Sequence, residues 1–296
     1  MILEILKAIV LGIIQGIAEF FPVSSSGHLV LIPFLFKWDY IPVYFSVVLH
    51  FATLLSLVTV FYRDIGRIIK AFFTGLFSKN TRKDNPHFKL SLFIIIATIP
   101  GAVAGYFLQD QIEGFFSKPL YVGIFLLVTA AFLFIGEYFG KKFEKRTGPV
   151  NGENKDTGIS HVRGLNFINA AVIGVGQAIA ILPGISRSGS AISFARLFGI
   201  KREECVRFSM LLSIPITFGA FIFETYKSYN QVISPDLHIL INIAAGFVFA
   251  YLAGLFAIKF LLRFSKIRNL NYFAIYCIVI AIIVFVLFFI NKGGVF

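Results

Sequence analysis

Apolar residues fill long blocks of this chain, at 41–62, 90–108, 120–138, 208–226, 237–262 and 272–290. Each block is close to the ~20 residues an α-helix needs to cross the hydrocarbon of a bilayer. The pattern predicts six full spans. Two other apolar stretches, 4–36 and 165–199, are each interrupted midway by a proline and a cluster of serine and glycine. Either half alone is too short or too polar to cross, which predicts re-entrant helix–loop–helix hairpins. The expected fold class is all-α: a polytopic membrane protein of about six full spans plus two re-entrant hairpins.

The interrupted stretches are copies of one another. At an offset of 162 residues Gly12 meets Gly174, Gln15 meets Gln177, and Ile17-Ala18 meets Ile179-Ala180. Ser24, Ser26 and Gly27 meet Ser186, Ser188 and Gly189, and Pro22 and Pro183 stop the two first helices. The likeness continues past the hairpins, where Phe45–His50 (FSVVLH) parallels Phe208–Ser213 (FSMLLS). The first repeat spans 1–140 and the second 164–296, joined by a loop at 141–163 within a single membrane domain.

Charge orients this arrangement. Of 27 Lys and Arg, seven fall between 63 and 89 and six between 141 and 163, with further groups at 201–207 and 259–268. The opposite turns carry only Lys37, Lys118, Lys227 and Lys292. The positive-inside rule puts the basic segments in the cytoplasm. Span 41–62 then runs inward and span 208–226 outward, so the first hairpin enters from outside and the second from the cytoplasm. Two like halves of opposite polarity form an inverted-topology repeat, which places a site where the repeats meet near the middle of the membrane.

Composition agrees with a bilayer, with 57% hydrophobic residues, 37 Phe and only 14% charged residues. The net charge of +12 reads as orientation and attraction to anionic membrane lipids, with no nucleic-acid footprint. Cys205 and Cys277 fit neither a metal-ligand spacing nor a disulfide framework. The first residues lack a basic leader and a small-residue cleavage site, so they are expected to be mature protein.

Ionisable and hydroxyl side chains inside such sequence mark a functional site. Arg187, between Ser186 and Ser188 and followed by Gly189, offers a fork of donors that fits phosphate oxygens. Glu19 lies four residues after Gln15, so the two share a helix face, and Glu19 is placed to move a proton or orient His28. Ser25 and His28 are three apart, a spacing suited to a nucleophile and its base. Ser24, Ser26, Gly27, Ser188 and Gly189 complete the set of hydroxyl and N–H donors. His50 reads as a packed core residue, and His87, His161 and His238 as solvated. The Gly12–Gly16 pair reads as a close helix contact.

At these residues the chain resembles the undecaprenyl-diphosphate phosphatase family of the bacitracin-resistance type. The resemblance rests on Gln15-x-x-x-Glu19, on Pro22–His28 (PVSSSGH) and on Pro183–Gly189 (PGISRSG), and it extends over nearly the whole chain. It implies hydrolysis of a C55 polyprenyl diphosphate to the monophosphate carrier lipid, on the outer face of a bacterial inner membrane. It also implies Glu19, Ser25, His28 and Arg187 as catalytic positions, with Gln15 and the serine loops binding substrate. Many members carry glutamate where this chain has Gln15, which cannot serve as a carboxylate base. PAP2 lipid phosphatases share look-alikes of SSSGH and SRSG, but the histidine–aspartate element that follows them is absent here. The resemblance leaves open a divalent cation (Mg2+ or Ca2+), a homodimer, and whether Ser25 or His28 is the nucleophile.

The rival reading is a transporter or flippase for a polyprenyl phosphate lipid, since paired hairpins in inverted repeats are also transporter architecture. The asymmetry of the motifs separates the two. Transport needs only a binding site, whereas Glu19, Ser25 and His28 on one hairpin suit proton and nucleophile chemistry.

Overall fold

In a computed structural model of the chain, residues 2–39, 41–78, 82, 85–116, 118–146, 164–228 and 237–290 are described. Among these residues there are ten α-helices and no strand. The first five are α1 (Ile2–Ala18), α2 (Ser25–Phe36), α3 (Val43–Phe77), α4 (Pro86–Phe116) and α5 (Pro119–Arg146). The second five are α6 (Phe167–Ile179), α7 (Arg187–Arg196), α8 (Arg202–Ser228), α9 (Leu237–Ile267) and α10 (Asn271–Ile290). Short–short–long–long–long thus occurs twice. Of the loop expected at 141–163, residues 141–146 are the last turns of α5, and 147–163 lie outside the described residues, as do 229–236 and 291–296.

Six helices are long and apolar enough to cross a bilayer, namely α3, α4, α5, α8, α9 and α10. Their outward faces leave Leu252, Phe256, Ile282 and Phe289 exposed, a surface that suits lipid and not water. At 35 residues α3 is about 52 Å long at 1.5 Å per residue, well beyond a ~30 Å core. It bends at Phe61, whose backbone leaves helical geometry (φ −104°, ψ 15°), and continues to Phe77. The basic residues Arg63, Arg67 and Lys70 thus sit on an extension of the span, and α4 begins at Pro86.

The helices pair across the two halves. The short α1 lies along α9, and the short α6 lies along α4. Both contacts rest on small residues. A Cβ at Gly12 would strike the backbone carbonyl of Gly246, and one at Gly16 would meet Ala250 O and Gly254 N. A Cβ at Gly174 would come within 2.6 Å of Ala97 O. Close packing, expected for Gly12 and Gly16, is what they do. The third helices, α3 and α8, also meet, as do the fifth, α5 and α10.

Three arginines of the second half reach carboxylates on α3 and α5. Arg196, with 1% exposure, donates to Glu144 at 2.9 Å and to Ile200 O at 2.7 Å. Arg202 forks onto both oxygens of Glu137, at 2.6 and 2.8 Å, and Arg207 lies 3.6 Å from Asp64. The sequence suggested that Arg202 and Arg207 were flanking charges; here they are turned inward to partners. A guanidinium at a buried helix end is stable only when paired.

Candidate active site

The site forms where the break between α1 and α2 meets the break between α6 and α7. In the first, Glu19 N–H still bonds Gln15 O at 2.9 Å, so Glu19 is the first residue past the end of α1. The chain then turns through Phe21, Pro22 and Val23 to Ser24, which caps α2 by accepting from Gly27 N–H at 3.3 Å. Ser24 holds φ 70°, a region a non-glycine residue enters only when its surroundings insist. The surroundings here are the other loop: Gly184 N–H donates to Ser24 Oγ at 3.1 Å.

The second break is built on the same plan. Ser186 caps α7 by accepting from Gly189 N–H at 3.0 Å. The helix starts at Arg187, so Arg187 occupies its first turn. Gly184 has φ +107°, and a Cβ there would come within 2.6 Å of Val122 O. Thr129 of α5 pins this loop, donating to Gly184 O and accepting from Ser186 N–H, both at 2.9 Å. The loops touch directly: a Cβ on Gly27 would lie 3.1 Å from Gly184 Cα, and Ser188 Oγ donates to Phe21 O at 3.2 Å.

Glu19 is the centre of this junction. One carboxylate oxygen accepts from Arg187, and the other accepts from Ser25 Oγ at 2.6 Å and Gln15 Nε2 at 3.0 Å. Arg187 also donates to Thr217 Oγ1 and, at 3.3 Å, to Ser213 O, both on α8. Ser24 and Ser26 hydroxyls are 3.3 Å apart, and Ser186 and Ser188 hydroxyls 3.1 Å apart. Four sequence-predicted residues, Gln15, Glu19, Ser25 and Arg187, thus form one connected cluster. A carboxylate that binds a guanidinium on one side and a hydroxyl on the other can deprotonate the hydroxyl beside a ready-made phosphate clamp.

One expected contact is not made. Ser25 donates to Glu19 and not to His28, and Glu19 does not orient His28. His28 stands on the first turn of α2, where side chains lean back toward the helix N-terminus. Its Nδ1 reaches Ser24 O at 2.7 Å, and its Nε2 meets the Tyr276 hydroxyl of α10 at 2.8 Å. The two rings stack with centroids 5.7 Å apart. A carbonyl only accepts, so Nδ1 carries the hydrogen and a neutral ring accepts from Tyr276. Both nitrogens are occupied.

Several site residues escaped the sequence reading. Tyr276 and Thr129 are isolated polar residues on apolar spans, with nothing local to distinguish them, whereas Thr217 follows Ser209 and Ser213 at helical spacing on one face of its span. His50 had a signal: it ends the repeated FSVVLH segment, opposite Ser213 of FSMLLS. Ser213 touches Arg187, and His50 Nε2 lies 3.6 Å from Glu19 Oε2, so equivalent helices place both on the cluster. Among the described residues no three His, Cys, Asp or Glu side chains gather into a metal-holding set.

Fold and site together define a polytopic helical membrane protein whose polar centre is assembled from two hairpin loops. Residues 8–283 match the family model described as bacitracin resistance protein BacA, and the chain belongs to that family. It is 39% identical to an undecaprenyl-diphosphatase of Christiangramia forsetii, over 95% of this chain and 97% of that protein. It is 37% identical to an undecaprenyl-diphosphatase of Korarchaeum cryptofilum, covering 95% and 98%. Undecaprenyl-diphosphatase 1 of Shouchella clausii is 33% identical, covering 96% of each.

Proposed function

We propose that this protein hydrolyses undecaprenyl diphosphate to undecaprenyl phosphate and phosphate, recycling the carrier lipid for peptidoglycan synthesis and so conferring bacitracin resistance. The relatives' activity supports the reaction. The observation that carries it in this chain is the bridge from Ser25 through Glu19 to Arg187. The prenyl tail lies among the exposed apolar side chains, in contact with membrane lipids, and the diphosphate enters between the loops. There the guanidinium of Arg187, the serine hydroxyls and the N–H groups at the starts of α2 and α7 face the charge of phosphoryl transfer, the dominant demand of this chemistry.

Ser25 attacks the terminal phosphorus and Glu19 takes its proton across 2.6 Å. His28, the base suggested by spacing, instead braces the loop between Ser24 and Tyr276. The same occupancy argues against a phosphohistidine. Water then opens the phosphoserine. Gln15 steadies Glu19 and does no acid–base work.

Sidedness and symmetry belong to the same proposal. The halves 1–140 and 164–296 are inverted repeats whose re-entrant hairpins enter from opposite faces, which accounts for the exchanged pairing of α1 with α9 and α6 with α4. The basic segments face the cytoplasm of a bacterial inner membrane and the site opens outward. A flippase needs only a binding site, and nothing in it calls for a hydroxyl held against a carboxylate.

The test is phosphate release from a C55 diphosphate by the purified protein in detergent, with the phosphoenzyme trapped and mapped. Label on Ser25 is the expected result. Label on His28, or turnover with no phosphoenzyme under trapping conditions, defeats the serine mechanism; lipid translocation without phosphate release defeats the hydrolase.

A further inference from the structure

Cleaving a diphosphate ester produces a proton as well as a phosphate. With the substrate fully ionised, water and lipid diphosphate give lipid monophosphate, hydrogen phosphate and one proton per bond broken. On the reading above, Ser25 oxygen bonds to the terminal phosphorus while its proton goes to Glu19. The bridging P–O bond breaks, and its electron pair leaves with the lipid monophosphate. Glu19 is then a carboxylic acid, and it cannot activate the water that opens the phosphoserine until it has lost that proton. Its immediate partners offer no way out: Arg187 and the Gln15 Nε2 that faces it only donate, Ser25 is esterified, and the Glu19 side chain is 6% exposed.

We infer that His50 takes this proton and delivers it from the site, an assignment that rests on the phosphoserine reading. His50 Nδ1 lies 2.8 Å from Ser46 O, an acceptor only, so Nδ1 carries the hydrogen and the neutral ring presents its Nε2 lone pair. That lone pair lies 3.6 Å from Glu19 Oε2, the same oxygen that receives the Ser25 hydroxyl. The His50 side chain is 30% exposed against 6% for Glu19 and stands two turns from the start of α3, so it is the less enclosed of the pair. The other site histidine, His28, is buried with both nitrogens bonded and has no such freedom.

The remaining steps balance. The proton moves from Glu19 to His50 Nε2, giving an imidazolium beside a regenerated carboxylate, and then leaves to the medium. Water oxygen bonds to phosphorus as Glu19 takes one of its protons, the Ser25 O–P bond breaks, and Glu19 returns that proton to the serine oxygen. Hydrogen phosphate departs.

The charged neighbours of His50 are Glu19, at the end of α1, and Arg187 of α7 behind it. From α8, Phe221 stacks on Phe51 with Glu224 a turn further on, and α9 brings Phe247 and Tyr251, whose hydroxyl meets Thr59. On α4, Phe88 packs on Gly75 at the far end of α3, and Lys89 is the next residue along.

The test measures steady-state turnover and phosphoenzyme level for wild type, His50→Ala and His50→Gln, on a C55 diphosphate in detergent. Both variants are expected to lose about 10- to 100-fold in kcat, with KM within about threefold, and to accumulate phosphoenzyme. Added imidazole should restore His50→Ala and not His50→Gln. Unchanged kcat in either variant overturns the assignment. So does a loss without phosphoenzyme, without imidazole rescue and matched by a lower Tm, which would make His50 a packing residue. Full activity in Ser25→Ala defeats the phosphoserine reading instead, and this role with it.

Discussion

Glu19 uses two oxygens for three donors, and each donor serves a different end. Because Ser25 and Arg187 are tied to the reaction, Ser25→Ala and Glu19→Gln should each lower kcat about 10²- to 10⁴-fold, whereas Gln15→Ala should cost under about tenfold, read as phosphate release. Arg187→Lys keeps the charge but loses the fork that spans Glu19, Thr217 and Ser213, so kcat/KM should fall about 10²- to 10³-fold. Stability separates from chemistry here. Arg187→Ala strands a buried carboxylate at a cost of about 3–5 kcal/mol, and adding Glu19→Gln should restore part of the lost Tm with no return of activity. The residues of this cluster were legible because polar groups in apolar sequence are conspicuous. Their pairing was not, since a three-residue spacing brings Ser25 and His28 close in sequence without fixing which way the ring turns. The start of α2 at Ser25 decided it, by sending His28 back onto Ser24 O.

The elements were read well where their lengths obey the bilayer, and less well where helices run past it. The proline breaks at Pro22 and Pro183 announce both hairpins. The bend at Phe61 has neither proline nor glycine to announce it, and the extension of α3 to Phe77 carries four charges, Arg63, Asp64, Arg67 and Lys70, among apolar residues. What positions Glu19 is the seating of α1 on α9, because Glu19 follows the last residue of that helix. Gly12→Val would drive a side chain into the Gly246 carbonyl, so it should destabilise the protein by about 1–3 kcal/mol and reduce activity with it. Gly66→Ala, where an added Cβ meets open space, is the control and should leave Tm unchanged. Thermal unfolding in detergent reads both. Gly184→Ala should be as harmful, since its φ of +107° and the Val122 carbonyl both exclude a side chain.

For the molecule as a whole, the repeat predicted that the hairpin tips would meet, and Gly27 against Gly184 is that meeting. The exchange of partners between halves could not be seen in any one segment, because small residues such as Gly246 and Ala97 look alike whichever helix they receive. Sidedness is testable directly. With Cys205 and Cys277 buried, a membrane-impermeant maleimide should label Lys37→Cys from outside and Lys141→Cys only after the cytoplasmic face is opened. The reverse pattern would invert the proposed orientation. The arginine–carboxylate pairs Arg196–Glu144, Arg202–Glu137 and Arg207–Asp64 stitch one rim of the two halves together. Lys7 and Glu4, 2.7 Å apart, pair within α1. If the site opens outward as proposed, the three arginine pairs lie beneath it on the cytoplasmic side, so a headgroup that reaches the loops from outside would have to leave by the way it came.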